Sequence, residues 1–308
     1  MRFDGSAMRF DGLAVAGGLA LASLSLGCGG EDESGVGRLT IVASGEEAAK
    51  DGYPVGAGTP DEIGFADGWT MSFDRVLVSV RDLRVETRDG DSAGVTSDHV
   101  VFDLHAGDPL VYDVGEIPAR RWDAIAYRTT RAAAGMRHVG EVDAAAVDRM
   151  IDGGWSLLLE GTATRGAESI TISYGFDLEV DNHGCENDDG TLGVVVPTGG
   201  TAEGQMTFHF DHLFFDSFVS EEPSLRFDAQ AATADALGHV TLESLETQDL
   251  TNLLGADGVP LRDDNGNPLV YDPGSTRLRS QTLRGFVEAQ FVTLGHWNGE
   301  GHCAYTTE

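Results

Sequence analysis

At 308 residues the chain exceeds one average domain, so one or two folded units are expected, and a hydrophobic share of 41% with only 9 prolines argues for a real core over disorder. Asp and Glu number 51 against 20 Lys and Arg, a formal charge of -31; such a surface repels phosphate backbones, which excludes nucleic-acid binding. Lys50 is the sole lysine, and its setting GEEAAKDG matches neither a phosphate cradle nor an apolar Schiff-base pocket.

Residues 13–26, LAVAGGLALASLSL, carry no charge. The run is too short to span a hydrocarbon core, which takes about 20 residues in a helix, and it suits the apolar region of a signal peptide. Arg9 precedes it, and the repeated MRFDG at 1–5 and 8–12 makes Met8 an alternative start. Ser25-Leu26-Gly27-Cys28 resembles the lipobox of bacterial lipoproteins. That resemblance implies a signal peptide over 1–27, acylation of Cys28, a flexible tether over 28–37, and a cell-envelope protein held to a lipid bilayer through Cys28. Gly29 in place of aspartate resembles lipoproteins passed to the outer membrane. A signal cleaved elsewhere, with Cys28 incidental, is the alternative. The first 27 residues hold Arg2 and Arg9 against Asp4 and Asp11, so their removal leaves -31 unchanged. The acidity reads as a solvated coat, or as cation binding by oxygen ligands.

From residue 38 to 216 the pattern predicts an antiparallel β-sandwich. RLTIVAS, WTMSFDRVLVSVRDLRVET, HVVFDL, PLVYDV, WDAIAYRTT, WSLLLEGTAT, SITISYGFDLEV and LGVVV are strand-like runs bounded by Gly, Asp and Pro turns. Val76, Val78 and Val80 alternate with Leu77, Ser79 and Arg81, as do Ile170, Ile172 and Tyr174 with Thr171 and Ser173. A helix over 141–151 ends at Gly153-Gly154. Residues 217–308 read as a small helical subdomain, with helices in SEEPSLRFDAQAATAD, TLESLETQDLTNLL and TRLRSQTLRGFVEAQFVTLG. In the last, Leu283, Phe286, Val287, Phe291 and Leu294 form one apolar stripe that belongs in a core. Between the second and third helices, DGVPLRDDNGNPLVYDPG predicts a hairpin turning at Asn265-Gly266.

Cys185 and Cys303 occupy polar, loop-like stretches, and in an oxidising envelope they are expected to pair; a metal-thiolate pair is the alternative. Thr233 to Ser244, TADALGHVTLES, resembles an EF-hand calcium loop between two helices, with Gly238 as the turn glycine and Asp235 at the third position. Thr233, Leu237 and Ser244 replace the carboxylates or amide the motif calls for, so the resemblance implies a helix-loop-helix that has lost its ion, with weak calcium binding helped by Glu243 as the alternative. Asp263, Asp264, Asn265, Asn267 and Asp272 make a second calcium candidate or an exposed turn. MTFHFDHLFFDS, residues 206–217, is the densest set of transition-metal ligands. On a strand, His209 and Asp211 share one face, and His212 or Asp216 could arrive from the following turn. Pairing of the cysteines would bring His183 and His302 together, with His296 nearby. The alternative is histidines bonded to backbone carbonyls.

No GxSxG, HExxH or GxGxxG signature is present. The reading is therefore a non-enzymatic, membrane-anchored binding module with an unidentified protein or small-molecule partner. A periplasmic protein binding copper, zinc or calcium is the first alternative, and an envelope hydrolase the second.

Overall fold

The longest alternating run becomes the longest strand, and its middle, Val76 to Val80, is buried on both faces. In the computed structural model, which describes residues 35–307 apart from 61, 97, 107–109 and 264, that strand is Thr70–Glu86. The expected signal peptide, Cys28, most of the tether, and Asp264 lie outside the described residues.

In chain order the strands are β1 (Val36–Ser44), β2 (Thr70–Glu86), β3 (Ser92–Thr96), β4 (Val100–Asp103), β5 (Leu110–Pro118), β6 (Arg121–Trp122), β7 (Ala124–Thr129), β8 (Arg137–Val139) and β9 (Leu157–Arg165). They continue with β10 (Glu168–Phe176), β11 (Val180–His183), β12 (Val194–Val195), β13 (Thr201–Phe208), β14 (His239–Thr241), β15 (Gly295–Trp297), β16 (Gly301–His302) and β17 (Ala304–Thr307). The helices are α1 (Glu46–Asp51), α2 (Ala144–Gly153), α3 (Asp228–Ala231) and α4 (Leu283–Phe291), with 3-10 turns at Phe210–Phe214 and Glu243–Thr247.

The chain is mainly β, with several sheets. One runs β16-β15-β13-β1-β5, and a larger one follows β14-β10-β9-β2-β7-β11-β17 with β3, β4 and β8 attached. It is not wholly antiparallel, as the repeating pattern led us to expect: β1–β13, β4–β8 and β10–β14 run parallel. A period of two places side chains on faces and is silent on strand direction, so this difference could arise only in the folded chain.

β2 pairs with β9 along Thr70–Val78 and with β7 from Val80 to Glu86, with register shifts between Phe73 and Arg75 and between Arg81 and Arg84. Asp82 takes φ 54 at the second shift, the left-handed conformation that a bulge residue can require. Val76, Val78 and Val80 enter the main core, as the alternation predicted. Leu77 and Ser79 do not face solvent: both are fully buried. For Leu77 the cause is α2, whose Ala146, Val147 and Met150 pack with it and with Val101, Met136 and Leu158 in a second, smaller core; Ser79 Oγ lies 2.7 Å from His99 Nε2. α2 starts where Asp143 accepts from the Ala145 N–H at 3.0 Å and stops at left-handed Gly154, which fits the predicted helix and its glycine end.

The helical expectation for 217–308 holds for one segment of three. α4 buries Leu283, Phe286, Val287 and Phe291, with Leu294 just beyond it. The first predicted helix shrinks to the four residues of α3. Leu225 is drawn into bridges with Phe65 and Phe215, and Asp216 ties down the backbone N–H of Ser224 and the Arg226 guanidinium, so tertiary pairing holds this stretch extended. The second shrinks to the turn at Glu243–Thr247 because short polar side chains bond the local backbone instead: Ser244 Oγ donates to the Thr241 carbonyl, and Asp249 accepts from the Thr251 N–H. Chain reversal at Asn265-Gly266 is present, with the Asp263 N–H donating to Asn267 O at 2.8 Å and Gly266 at φ 79.

The boundary expected at 216/217 is crossed by both sheets. β14 pairs with β10, β15 with β13, and β17 with β11. One contiguous core runs from Leu39 to Trp297, and residues 34–308 form one compact unit. Among the described residues no helix is long and apolar enough to cross a membrane.

Candidate metal centre

Parallel pairing of β1 with β13 builds the site. Their register aligns Ser44 with Thr207, so both strands leave the sheet at the same end, and the residue two positions beyond each is Glu46 and His209. Gly45 lets α1 close on this corner, since a Cβ there would lie 2.4 Å from Ala49 Cβ and 2.8 Å from Phe210 Cε2. The Glu46 N–H donates to Ser44 Oγ at 3.0 Å.

Beyond β13 the chain does not continue as a strand, so the expected sharing of a face by His209 and Asp211 fails. It winds into the 3-10 turn Phe210–Phe214, where residues three apart eclipse. His209 and His212 therefore fall on one side, ring centroids 5.7 Å apart, while Phe210, Leu213 and Phe214 are buried. β15 then lies antiparallel to β13, aligning His296 with Thr207, and stacks its ring 4.1 Å from that of His209. The turn through Asn298 and Gly299 returns β16, placing His302 opposite His296 with the rings 5.4 Å apart.

The result is a group of three imidazoles, His209, His212 and His296, each offering one nitrogen, with all three nitrogens within 4.8 Å of one another. His209 and His296 are 7% and 8% exposed. The hydrogen-bonding partners set the tautomers. Thr293 Oγ1 donates its only proton to the Gln290 carbonyl at 2.8 Å, so His212 Nδ1, 2.8 Å from the same oxygen, is the donor to it and Nε2 keeps the lone pair. His209 Nε2 faces the Gly299 carbonyl at 3.3 Å, an acceptor only, which leaves the lone pair on Nδ1. His296 Nδ1 is buried with no hydrogen-bond partner. Burial, reinforced by His296 and His209, pulls His212 down to about 3, and burial with His209 and His302 pulls His296 down to about 4. Both rings are neutral at pH 7, the form that ligates metal.

A second group comprises Glu46, His209 and Glu300, again with ligand atoms within 4.8 Å. Glu46 Oε1 lies 3.9 Å from His209 Nε2. A cleft of about 710 Å³ opens over this side, walled by Glu46, Glu47, Tyr53, Asp211, His212 and Glu300 among others. The Tyr53 hydroxyl is buried without a partner, and burial, then Asp211 and Glu46, push it well above its usual value. Burial also raises the Asp211 carboxyl, although His209 opposes the rise.

Of the residues singled out in the sequence, His209 and His212 enter the imidazole group and His302 borders it. His183 stays on β11 with Nδ1 3.1 Å from the Asp181 carbonyl, and neither it nor Asp211 joins either group. Asp216 is taken by Arg226. Glu46 and Glu300 carry no signal in the sequence, where each is one of 51 acidic residues. Cys185 and Cys303 form a disulfide just past the β11–β17 ladder.

Of the two helices expected to flank the EF-hand-like stretch, only the four residues of α3 and the 3-10 turn Glu243–Thr247 are formed. Thr233 Oγ1 bonds Ser244 Oγ at 2.9 Å, closing the loop on itself, and Asp235 accepts from the N–H groups of Leu237 and His239. Gly238 takes φ 75 as the turn glycine, and the segment after it pairs as β14 with β10. In the second calcium candidate, Asp263 accepts from the N–H groups of Asn265 and Asn267, and Asp272 from that of Gly274. These carboxylates are engaged in their own turns. No protein-family model matches the chain, and no match was found among curated proteins or solved structures.

Proposed function

We propose that this protein is an envelope-anchored binding module whose ligand is a divalent transition-metal ion, held by His209, His212 and His296. The supporting observation is the convergence of three imidazoles, two buried and His212 half-buried, with ligand atoms within 4.8 Å, from segments nearly ninety residues apart in sequence. Imidazole suits copper, zinc and nickel, and affinity along the first row peaks at Cu²⁺; among the described residues no thiolate joins the group to favour Cu(I). Thr293 supports His212 from behind, as outer partners of metal-bound histidines commonly do.

Protein purified without chelators is expected to carry one copper or zinc ion per chain by elemental analysis. His212→Ala and His296→Ala should each weaken binding by at least about 100-fold, the upper range for loss of even an outer-sphere partner. His183→Ala should leave affinity unchanged. A wild-type chain without stoichiometric metal uptake, or a His183→Ala loss equal to the other two, would defeat the proposal.

The anchor is supported by the lipobox-like Ser25-Leu26-Gly27-Cys28 and its acidic tether, since stable membrane attachment takes two or more acyl chains at roughly 0.8 kcal/mol per buried methylene. Cells fed clickable palmitate should label the wild type and not Cys28→Ala; equal labelling of both would remove the anchor.

A further inference from the structure

We infer that Glu46, His209 and Glu300 form an outer site at which the metal ion is first captured before it passes to the group of three imidazoles. This rests on the metal-binding reading above and adds a second site and an order of events to it.

The two ligand groups share His209. A neutral imidazole has a single ring lone pair, whichever nitrogen carries it, so an ion held by one group takes that ligand from the other, the sites fill in succession and the chain holds one ion. Their surroundings set the direction. Glu46 and Glu300 are exposed at the cleft, His209 and half-buried His212 lie in its wall, and His296 is buried and outside that wall. An ion arriving from water therefore meets the carboxylates before it can reach His296 and complete the imidazole group.

The donor chemistry agrees with that order. Carboxylates exchange readily with the waters of a hydrated cation, while nitrogen donors hold late first-row metals more tightly. An ion at the rim thus gains affinity by trading two carboxylates for two imidazoles. Glu47, Asp211 and Glu221 line the same cleft, and their field concentrates cations there without selecting among them. Capture by the outer group is a local event superimposed on that field, and the two effects are separable.

A way-station speeds travel in both directions equally and leaves the equilibrium untouched. In stopped-flow mixing of the full chain with Co²⁺, read by the cobalt absorption band, Glu46→Gln/Glu300→Gln is expected to slow association and dissociation alike by about tenfold or more, with the dissociation constant moving less than about threefold. Glu47→Gln/Glu221→Gln removes the same charge from the same cleft and should slow association by less than about twofold. Equal slowing in the two variants would assign the effect to the general field and overturn the proposal. So would weaker affinity at an unchanged association rate, which would make the carboxylates permanent ligands, or two ions bound per wild-type chain. Failure of the wild type to take up cobalt at all overturns the metal reading as well, and elemental analysis of the wild type reports that outcome separately.

Discussion

Cys185→Ala/Cys303→Ala is expected to lower the free energy of unfolding by about 5 kcal/mol, the chain-entropy value for a closed loop of this length. The two cysteines lie 118 residues apart, so the open chain gains a large set of conformations that the bridge denies it. Denaturant titration of oxidised wild type, reduced wild type and the double variant tests this. Reduced wild type should match the variant to within about 1 kcal/mol, because Cys185 is fully buried and its deletion also costs some packing. A loss below about 1 kcal/mol would mean that the unfolded chain is already compact without the bridge. The bridge also borders the imidazole group: the Glu186 N–H donates to the His302 carbonyl at 2.8 Å, beside Cys303.

Phe286→Ala should cost about 3–5 kcal/mol, the range for truncating a fully buried phenylalanine. Its ring is wholly buried and meets Phe218 and Tyr271 edge to face at 5.1 and 5.2 Å. The same core holds residues of both main sheets, from Leu39 and Ile41 to Val78 and Tyr127. The loss is therefore expected in a single transition of the whole folded unit, followed by near- and far-ultraviolet circular dichroism together. Two transitions, with only one displaced, would show that residues 217–308 fold by themselves.

The apolar stripe of α4 was legible because a helix that packs on one side repeats its buried residues every three to four positions, and nothing in that segment competes with the backbone. The stretches around Leu225 and Ser244 read as helix by the same rule and are not. In both, Asp, Ser and Thr side chains take backbone partners that a helix would need, and Leu225 is recruited by distant phenylalanines. Ser79 illustrates the converse: a polar residue on an alternating strand is fully buried, with its Oγ 2.7 Å from His99 Nε2.

What the amino-acid sequence determined alone is the local material: strand-like runs, the α4 stripe, the cysteine pair, the acidic balance, and a histidine-rich segment at residues 209–212. Only the tertiary structure decided that β1 and β13 run parallel, that Glu46 and His209 leave the sheet side by side, and that His296 completes the imidazole group while His183 stays apart. The physical reason is range. Periodicity and turn chemistry act over a few residues, whereas the candidate site depends on pairings between strands about 90 (β13 with β15) and about 160 (β1 with β13) residues apart, whose direction and register leave no repeating mark in the sequence.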